Sequence, residues 1–260
     1  MTLLETISAP GALRVVLQPI VKITELQPEI VSFECLTRGP MGTNVERPDI
    51  LFEYVRRKGA TAHVDLLCLA GAFEQGLAAA EGRPLSLNVH ASTLAARDDF
   101  DARLVELLEL HEVSPRRATI EIVEHSPDFD GPRFLRAIER LRTRGHRIAL
   151  DDVGTGHSNL KMILDCRPDY LKIDRYFVQQ IETDTARQAA ITSLVGVAAS
   201  LDADVVVEGV ETPEQLVQVR RLGVGLVQGY YFARPSIPTD IDTSPGSLPP
   251  LPALLGTGIG

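Results

Sequence analysis

The residues best able to do chemistry stand at the ends of short apolar runs: Glu34 with Arg38, Asn88, Glu121 with Glu124, Asp151 and Asp152, Lys172, Glu208 with Glu211, and Gln228. A charge at the end of a buried run is costly unless it is paired or bound to metal, so this regular placement points to one shared site. Carboxylates and an amide are hard oxygen ligands that suit Mg²⁺ or Mn²⁺, whereas zinc prefers His and Cys. The adjacent Asp151 and Asp152 can supply a bridging ligand and a second-site ligand, as a two-metal hydrolase requires. A lysine beside such metals could hold or deprotonate an attacking water, and an arginine could grip a phosphate oxygen.

Each residue also has an ordinary reading. A single Asp or Glu after a strand can cap a helix. Asp151–Asp152 before Gly154-Thr155-Gly156 can form an Asx turn. Lys172 could be a surface residue and Arg38 an ion-pair partner. His90, His125 and His157 show no metal-binding spacing and read as structural or peripheral. Gly154-Thr155-Gly156 lacks the remaining glycine and the strand–glycine–helix order of a dinucleotide fingerprint. Cys35 reads as a small buried residue.

The elements that must position this set are visible as alternating patterns. Apolar runs fall at Leu13–Ile20, Ile30–Leu36, Leu85–Val89, Ala118–Val123, Arg147–Leu150, Tyr170–Ile173, Val205–Val207 and Leu226–Val227. Most lack polar alternation, as expected of strands covered on both faces. Amphipathic stretches lie near Pro48–Arg57 and Ala62–Ala80, then at Phe100–His111, Pro132–Arg144, Thr185–Leu201 and Pro213–Leu222. Strands alternating with helices imply parallel βαβ units, and eight runs close a TIM-like (β/α)8 barrel. The link between the first two runs is too short for a helical crossover, so one antiparallel strand is expected near the N-terminus. Residues 1–238 are expected to form one domain, and 239–260, rich in proline and glycine, a flexible tail.

Composition narrows the partners. A net charge of −9 argues against broad binding to a nucleic-acid backbone. Three cysteines without CxxC spacing fit a reducing compartment. The N-terminus lacks the basic and apolar regions of a signal peptide, and no apolar run approaches a membrane span. A cytoplasmic protein with no membrane and no polynucleotide partner is expected.

The segment from about Gln18 to Pro235 resembles the EAL domain of cyclic di-GMP phosphodiesterases. The likeness rests on eight ordered motifs: QPIV at Gln18–Val21, ECLTR at Glu34–Arg38, LNV at Leu87–Val89, EIVE at Glu121–Glu124, DDVGTG at Asp151–Gly156, LKID at Leu171–Asp174, EGVET at Glu208–Thr212 and QGYYFARP at Gln228–Pro235. The resemblance implies a bacterial second-messenger enzyme that hydrolyses cyclic di-GMP to linear pGpG with two Mg²⁺ or Mn²⁺ ions, working as a homodimer. It implies Glu34, Asn88, Glu121 and Asp151 as ligands of the first metal, and Asp152 with Asp151 as the anchor of the second. Lys172 matches the lysine that positions the hydrolytic water, supported by Glu208 and Gln228. Arg38 matches a phosphate-binding arginine and Gln18 a substrate contact. Glu124 matches the glutamate holding the loop after Asp152, which the family links to dimerisation and metal occupancy. Departures from the pattern are Cys35 for alanine, Val153 for phenylalanine, Val123 for a hydroxyl residue and His157-Ser158-Asn159 after the loop. A non-catalytic cyclic di-GMP receptor of the same fold is the alternative, and degenerate receptors usually lose a ligand or the lysine, neither of which is lost here.

Overall fold

The computed structural model describes residues 2–23, 27–96, 99–123, 130–155 and 160–253. Eight strands close a barrel in sequence order: β1 (Arg14–Ile23), β2 (Pro28–Arg38), β3 (Leu85–His90), β4 (Ala118–Val123), β5 (Arg147–Val153), β6 (Tyr170–Ile173), β7 (Asp204–Val207) and β8 (Leu226–Val227). The expected antiparallel strand is β1, which runs against both β2 and β8, while every other neighbouring pair is parallel. β1 and β2 follow each other closely in sequence because antiparallel neighbours need no crossover.

Described helices are α1 (Leu3–Ile7), α2 (Pro48–Arg57), α3 (Thr61–Ala80), α4 (Ala91–Ala96), α5 (Phe100–Leu110), α6 (Gly131–Thr143), α7 (Leu160–Cys166), α8 (Thr185–Ser200) and α9 (Pro213–Arg221). Their starts follow local chemistry. Thr212 begins α9 with a capping box in which Gln215 answers, and Asp184 accepts from the amides of Ala186 and Arg187 at the head of α8. The period-2 pattern of β3 sends Leu85, Leu87 and Val89 into the main apolar cluster, and leaves Ser86, Asn88 and His90 on the other face. Phe33, Phe73 and Phe100 are almost fully buried in that cluster, each contributing about 1.5–3 kcal/mol by burial.

No helix joins β1 to β2, so part of the outer face of β1 needs another cover. The C-terminal segment supplies it. Leu17 N donates to Ser236 O at 2.8 Å, and Ile241, Leu248 and Leu251 pack against the main cluster. The Tyr231 hydroxyl donates to Pro250 O and the Arg220 guanidinium to Pro252 O, both at 2.9 Å. Within the stretch 239–260, expected to be a flexible tail, residues 241–253 thus make contacts through backbone carbonyls and single apolar side chains that show no periodicity, while 254–260 lie outside the described residues. Removing residues 241–253 takes away Ile241, Leu248 and Leu251, and is expected to expose the apolar surface they cover and lower Tm by roughly 5–10 °C. Calorimetry of the shortened chain checks this; an unchanged Tm would show the segment to be dispensable.

Candidate active site

Gln18, Glu34, Asn88, Glu121, Asp151, Asp152, Lys172, Glu208 and Gln228 converge inside the C-terminal mouth of the barrel, most of them placed there by strand register. Gln18 lies opposite Glu34 in the antiparallel β1–β2 pair, and Asn88 is level with Glu121 across β3 and β4. The β5–β6 register shifts between Leu150 and Val153, which places both Asp151 and Asp152 at the bulge. Asp152 adopts a left-handed backbone, φ 51°, a conformation Asp tolerates better than most residues. Lys172 enters from the middle of β6 and Glu208 from the residue after β7. Gly209, at φ 70°, must be glycine: an added Cβ would lie 2.3 Å from Arg175 Cβ.

Lys172 is the hub. The residue is 1% exposed, and its ammonium lies 3.0 Å from Glu34 Oε2, 2.6 Å from Glu208 Oε1 and 3.5 Å from Asp151 Oδ1, and donates to Glu121 Oε1. Asn88 donates to Glu34 Oε1 at 3.0 Å, and Gln228 donates to Glu34 Oε2 at 2.7 Å and to Gln18 Oε1 at 3.0 Å. Gln18 in turn donates to Ala233 O at 3.1 Å. Glu34, Glu121 and Glu208 offer oxygens within 4.8 Å of one another, as do Asp151, Asp152 and Glu208. Glu208 belongs to both groups. Asp151 Oδ1 is buried without a hydrogen bond, and an orphaned carboxylate oxygen is what a cation would satisfy. An all-oxygen donor set of this kind fits a hard divalent ion.

Two buried carboxylates, Glu34 and Glu121, and two half-buried ones, Asp151 and Glu208, share one ammonium, and their proton affinities spread accordingly. Burial pushes Glu208 up to about 8, reinforced by the charges of Asp151 and Glu34. Burial and the Glu34 charge hold Glu121 well above its ordinary value, and burial also raises Asp151. Asp152 is pushed up to about 6 by burial, then by Asp151 and Asp174. Burial would raise Glu34 too, but Lys172, Asn88 and Gln228 outweigh it and hold Glu34 low. Burial alone would lower Lys172, yet Asp151, Glu121, Glu208 and Glu34 together hold it well above the usual lysine range. A divergent set like this marks functional sites more often than scaffolding.

Arg38 stands apart from the carboxylates, at the end of β2, where it donates to Thr37 O at 3.1 Å. It lines a cavity of about 200 Å³ together with Glu34, Asn88, Asp151 and Asp152. A second cavity of about 270 Å³ opens on the other side, bordered by Gln18, Glu208, Glu211 and Gln228. Glu124, His125 and His157 lie outside the described residues. Cys35 turns away from the carboxylates toward α3, where a Cβ on Gly76 would meet its sulfur at 3.7 Å.

Several residues near the site were not singled out from sequence. Ser86 donates to Glu121 Oε2 at 2.5 Å; its place two residues before Asn88 on the same strand face was the available signal. Asp174, one residue past β6, raises Asp152. His90, which the sequence marks as structural or peripheral, lines the first cavity and is held by buried Asp65, which accepts from the His90 amide at 3.1 Å and lies 2.9 Å from Nδ1. Nothing in the sequence links Asp65 to His90, because α3 and β3 meet only in the fold.

A closed barrel, parallel except for β1, with an acidic, lysine-centred pocket at the C-terminal ends of its strands defines a TIM-type barrel. The chain belongs to the EAL domain family, which it matches over residues 2–235. It is 38% identical over 170 residues to the cyclic di-GMP phosphodiesterase RocR of Pseudomonas aeruginosa, covering 63% of this chain and 43% of that protein. It is 33% identical over 155 residues to the probable cyclic di-GMP phosphodiesterase PdeA of Escherichia coli, covering 60% and 21% of the two chains. The chain thus spans less than half the length of these relatives. Among solved structures, the manganese and cyclic di-GMP complex of Klebsiella pneumoniae BlrP1 superposes with a TM-score of 0.78 at 29% identity, covering 88% of this chain and 58% of that one.

Proposed function

We propose that this protein is a divalent-metal-dependent phosphodiesterase that opens cyclic di-GMP to linear pGpG. The observation that carries this reading is the pair of acidic groups sharing Glu208 around Lys172, with Asp151 Oδ1 making no hydrogen bond and only a 3.5 Å approach to the Lys172 ammonium. Relatives named for this activity and the BlrP1 complex support it. Glu34, Asn88, Glu121 and Asp151 would hold one Mg²⁺ or Mn²⁺, and Asp151, Asp152 and Glu208 a second. Such ions lower the proton affinity of bound water and neutralise charge on a phosphoryl group. Lys172 orients the attacking water, and its neighbouring carboxylates keep it charged. Arg38 donates to a phosphate oxygen, and Gln18 with Gln228 fixes the substrate from the β1 side. Glu124 lies outside the described residues, and its role of holding the loop after Asp152 rests on the family resemblance alone.

A homodimer fits the exposed apolar residues Leu160 and Leu164 on α7, which begins a few residues beyond Asp152. Sedimentation tests this; a monomer at every concentration would remove it. A cytoplasmic setting fits three free, buried cysteines, and no described helix is long and apolar enough to cross a membrane.

A second reading has its own support. The chain is 26% identical over 213 residues to the antirepressor BluF of Escherichia coli, whose name denotes control rather than catalysis. Incubation with cyclic di-GMP and Mn²⁺, followed by chromatography, separates the two: pGpG marks the enzyme, and binding without product marks a receptor. EDTA is expected to abolish turnover, and Ca²⁺ to inhibit it because longer bonds and looser geometry misplace the water. Full turnover in metal-free buffer would overturn the metal-dependent reading.

A further inference from the structure

The opposite face of the barrel carries a concentration of arginine that the proposed chemistry does not use. Arg116 and Arg117 precede β4, Arg142 and Arg144 end the α6 turn, Arg147 opens β5, and Arg167 precedes β6. The fold joins them into one patch. A Cβ on Gly145 would lie 3.9 Å from Pro115 Cβ, Arg147 is level with Thr119 across β4 and β5, and Arg142 donates to Arg167 O. Arg147 also donates to the Tyr170 hydroxyl at 2.6 Å.

Part of the counter-charge nearby is already committed. Asp101 pairs with Arg140 at 3.1 Å and Arg144 at 2.9 Å, Asp165 pairs with Lys161, and Asp169 Oδ2 accepts from Ile148 N at 2.8 Å. Arg116, Arg117, Arg142, Arg147 and Arg167 form no ion pair with a carboxylate among the described residues, and Arg117 Nε is buried without a hydrogen-bond partner. Five such guanidiniums side by side repel one another, in a chain whose net charge is −9.

We infer that this N-terminal face of the barrel, at the starts of β4, β5 and β6, is a docking surface for a carboxylate-rich segment of another protein. Guanidinium forks match carboxylates bidentately and are enriched at protein interfaces. The patch is short and bounded by carboxylates: Glu109 in the last turn of α5 and Glu112 just beyond it, and Asp202 before β7 and Asp204 at its first position. A long polyanion such as a nucleic acid would run off the arginines onto these acids, whereas a short acidic segment stays within them. Tyr170, the aromatic ring at the patch, is covered by Arg147, whose guanidinium carbon lies 5.9 Å from the ring centroid, so no platform for base stacking is open. Docking here leaves the mouth that holds Lys172 open.

The test uses the full chain and a fluorescein-labelled peptide of about ten residues, mostly glutamate, long enough to cross the patch. Anisotropy at low ionic strength is expected to show binding that weakens with salt. The combined variant Arg116→Ala, Arg147→Ala, Arg167→Ala is expected to bind about 10-fold more weakly, the sum of three exposed charge pairs. Arg56→Ala with Arg57→Ala, on α2, is expected to bind as the wild type does. Arg147→Ala removes the bond to Tyr170, so Arg116→Ala alone, with an unchanged melt, serves as the variant free of structural effects. No peptide binding by the wild type, or equal binding by all variants, overturns the inference. Tighter binding of single-stranded DNA or of anionic vesicles than of the peptide also overturns it, assigning the face to a nucleic acid or a membrane. None of these readouts depends on catalytic activity.

Discussion

Lys172→Ala is expected to lower turnover of cyclic di-GMP by about 10²-fold or more while leaving its binding largely intact, the scale of a lost proton-transfer or water-positioning group. The argument rests on placement. Lys172 reaches Glu34, Glu121, Asp151 and Glu208 from the interior of β6, whereas Arg38 and Gln18, the groups proposed to hold the substrate, line the two cavities beside them. The same substitution removes the sole cation among the described residues at that cluster. In metal-free buffer the mutant should therefore melt lower, because breaking a buried pair costs about 3–5 kcal/mol. Protons on Glu121 and Glu208, both held up by burial, offset part of that loss. Mn²⁺ should restore the melt and not the rate. If binding and turnover fall together with the melt restored, Lys172 is a substrate anchor and its proposed role is wrong.

How far the sequence spoke depended on whether a signal was local. The strands were legible because runs such as Leu85–Val89 and Ala118–Val123 carry β-branched and aliphatic residues between clear helical patterns. The antiparallel β1 was legible because nine residues cannot hold a crossover helix. Convergence of Glu34, Glu121, Asp151 and Lys172 on one point followed from a general property of parallel barrels, that strand ends face a common mouth. The sharing of Glu208 between two acidic groups did not follow, because it depends on how far β7 rises against β5. Ser86 beneath Glu121 and Asp65 behind His90 were invisible for a similar reason. Their partners lie 35 and 25 positions away, and only strand register and helix docking bring them together. The covering role of Ile241, Leu248 and Leu251 escaped because single apolar residues between prolines show no periodicity.

Glu208→Gln is expected to reduce turnover by about 10²–10⁴-fold, the range of an essential acid or base, and to change how the protein responds to metal and pH. Burial and the charges of Asp151 and Glu34 hold Glu208 at about 8, against an ordinary 4.5. Between those values the folded metal-free protein keeps a proton that the unfolded chain releases. Its contribution to stability is complete below the ordinary value and is lost as pH rises toward 8. Glu121 and Asp151, also raised, act in the same direction. A cation competes with that proton, since a ligand carboxylate must be ionised, so the rise in Tm produced by saturating Mn²⁺ should grow as pH climbs from about 5 to 8. Replacing Glu208 by glutamine keeps the shape, removes the proton and takes one oxygen donor from both acidic groups. The growth of the Mn²⁺ effect with pH should then be shallower but not flat, because Glu121 and Asp151 remain. Melting curves with EDTA and with Mn²⁺ across that pH range measure it directly. A mutant with wild-type turnover and a wild-type slope would show that Glu208 joins neither metal group, leaving its raised proton affinity a consequence of burial alone.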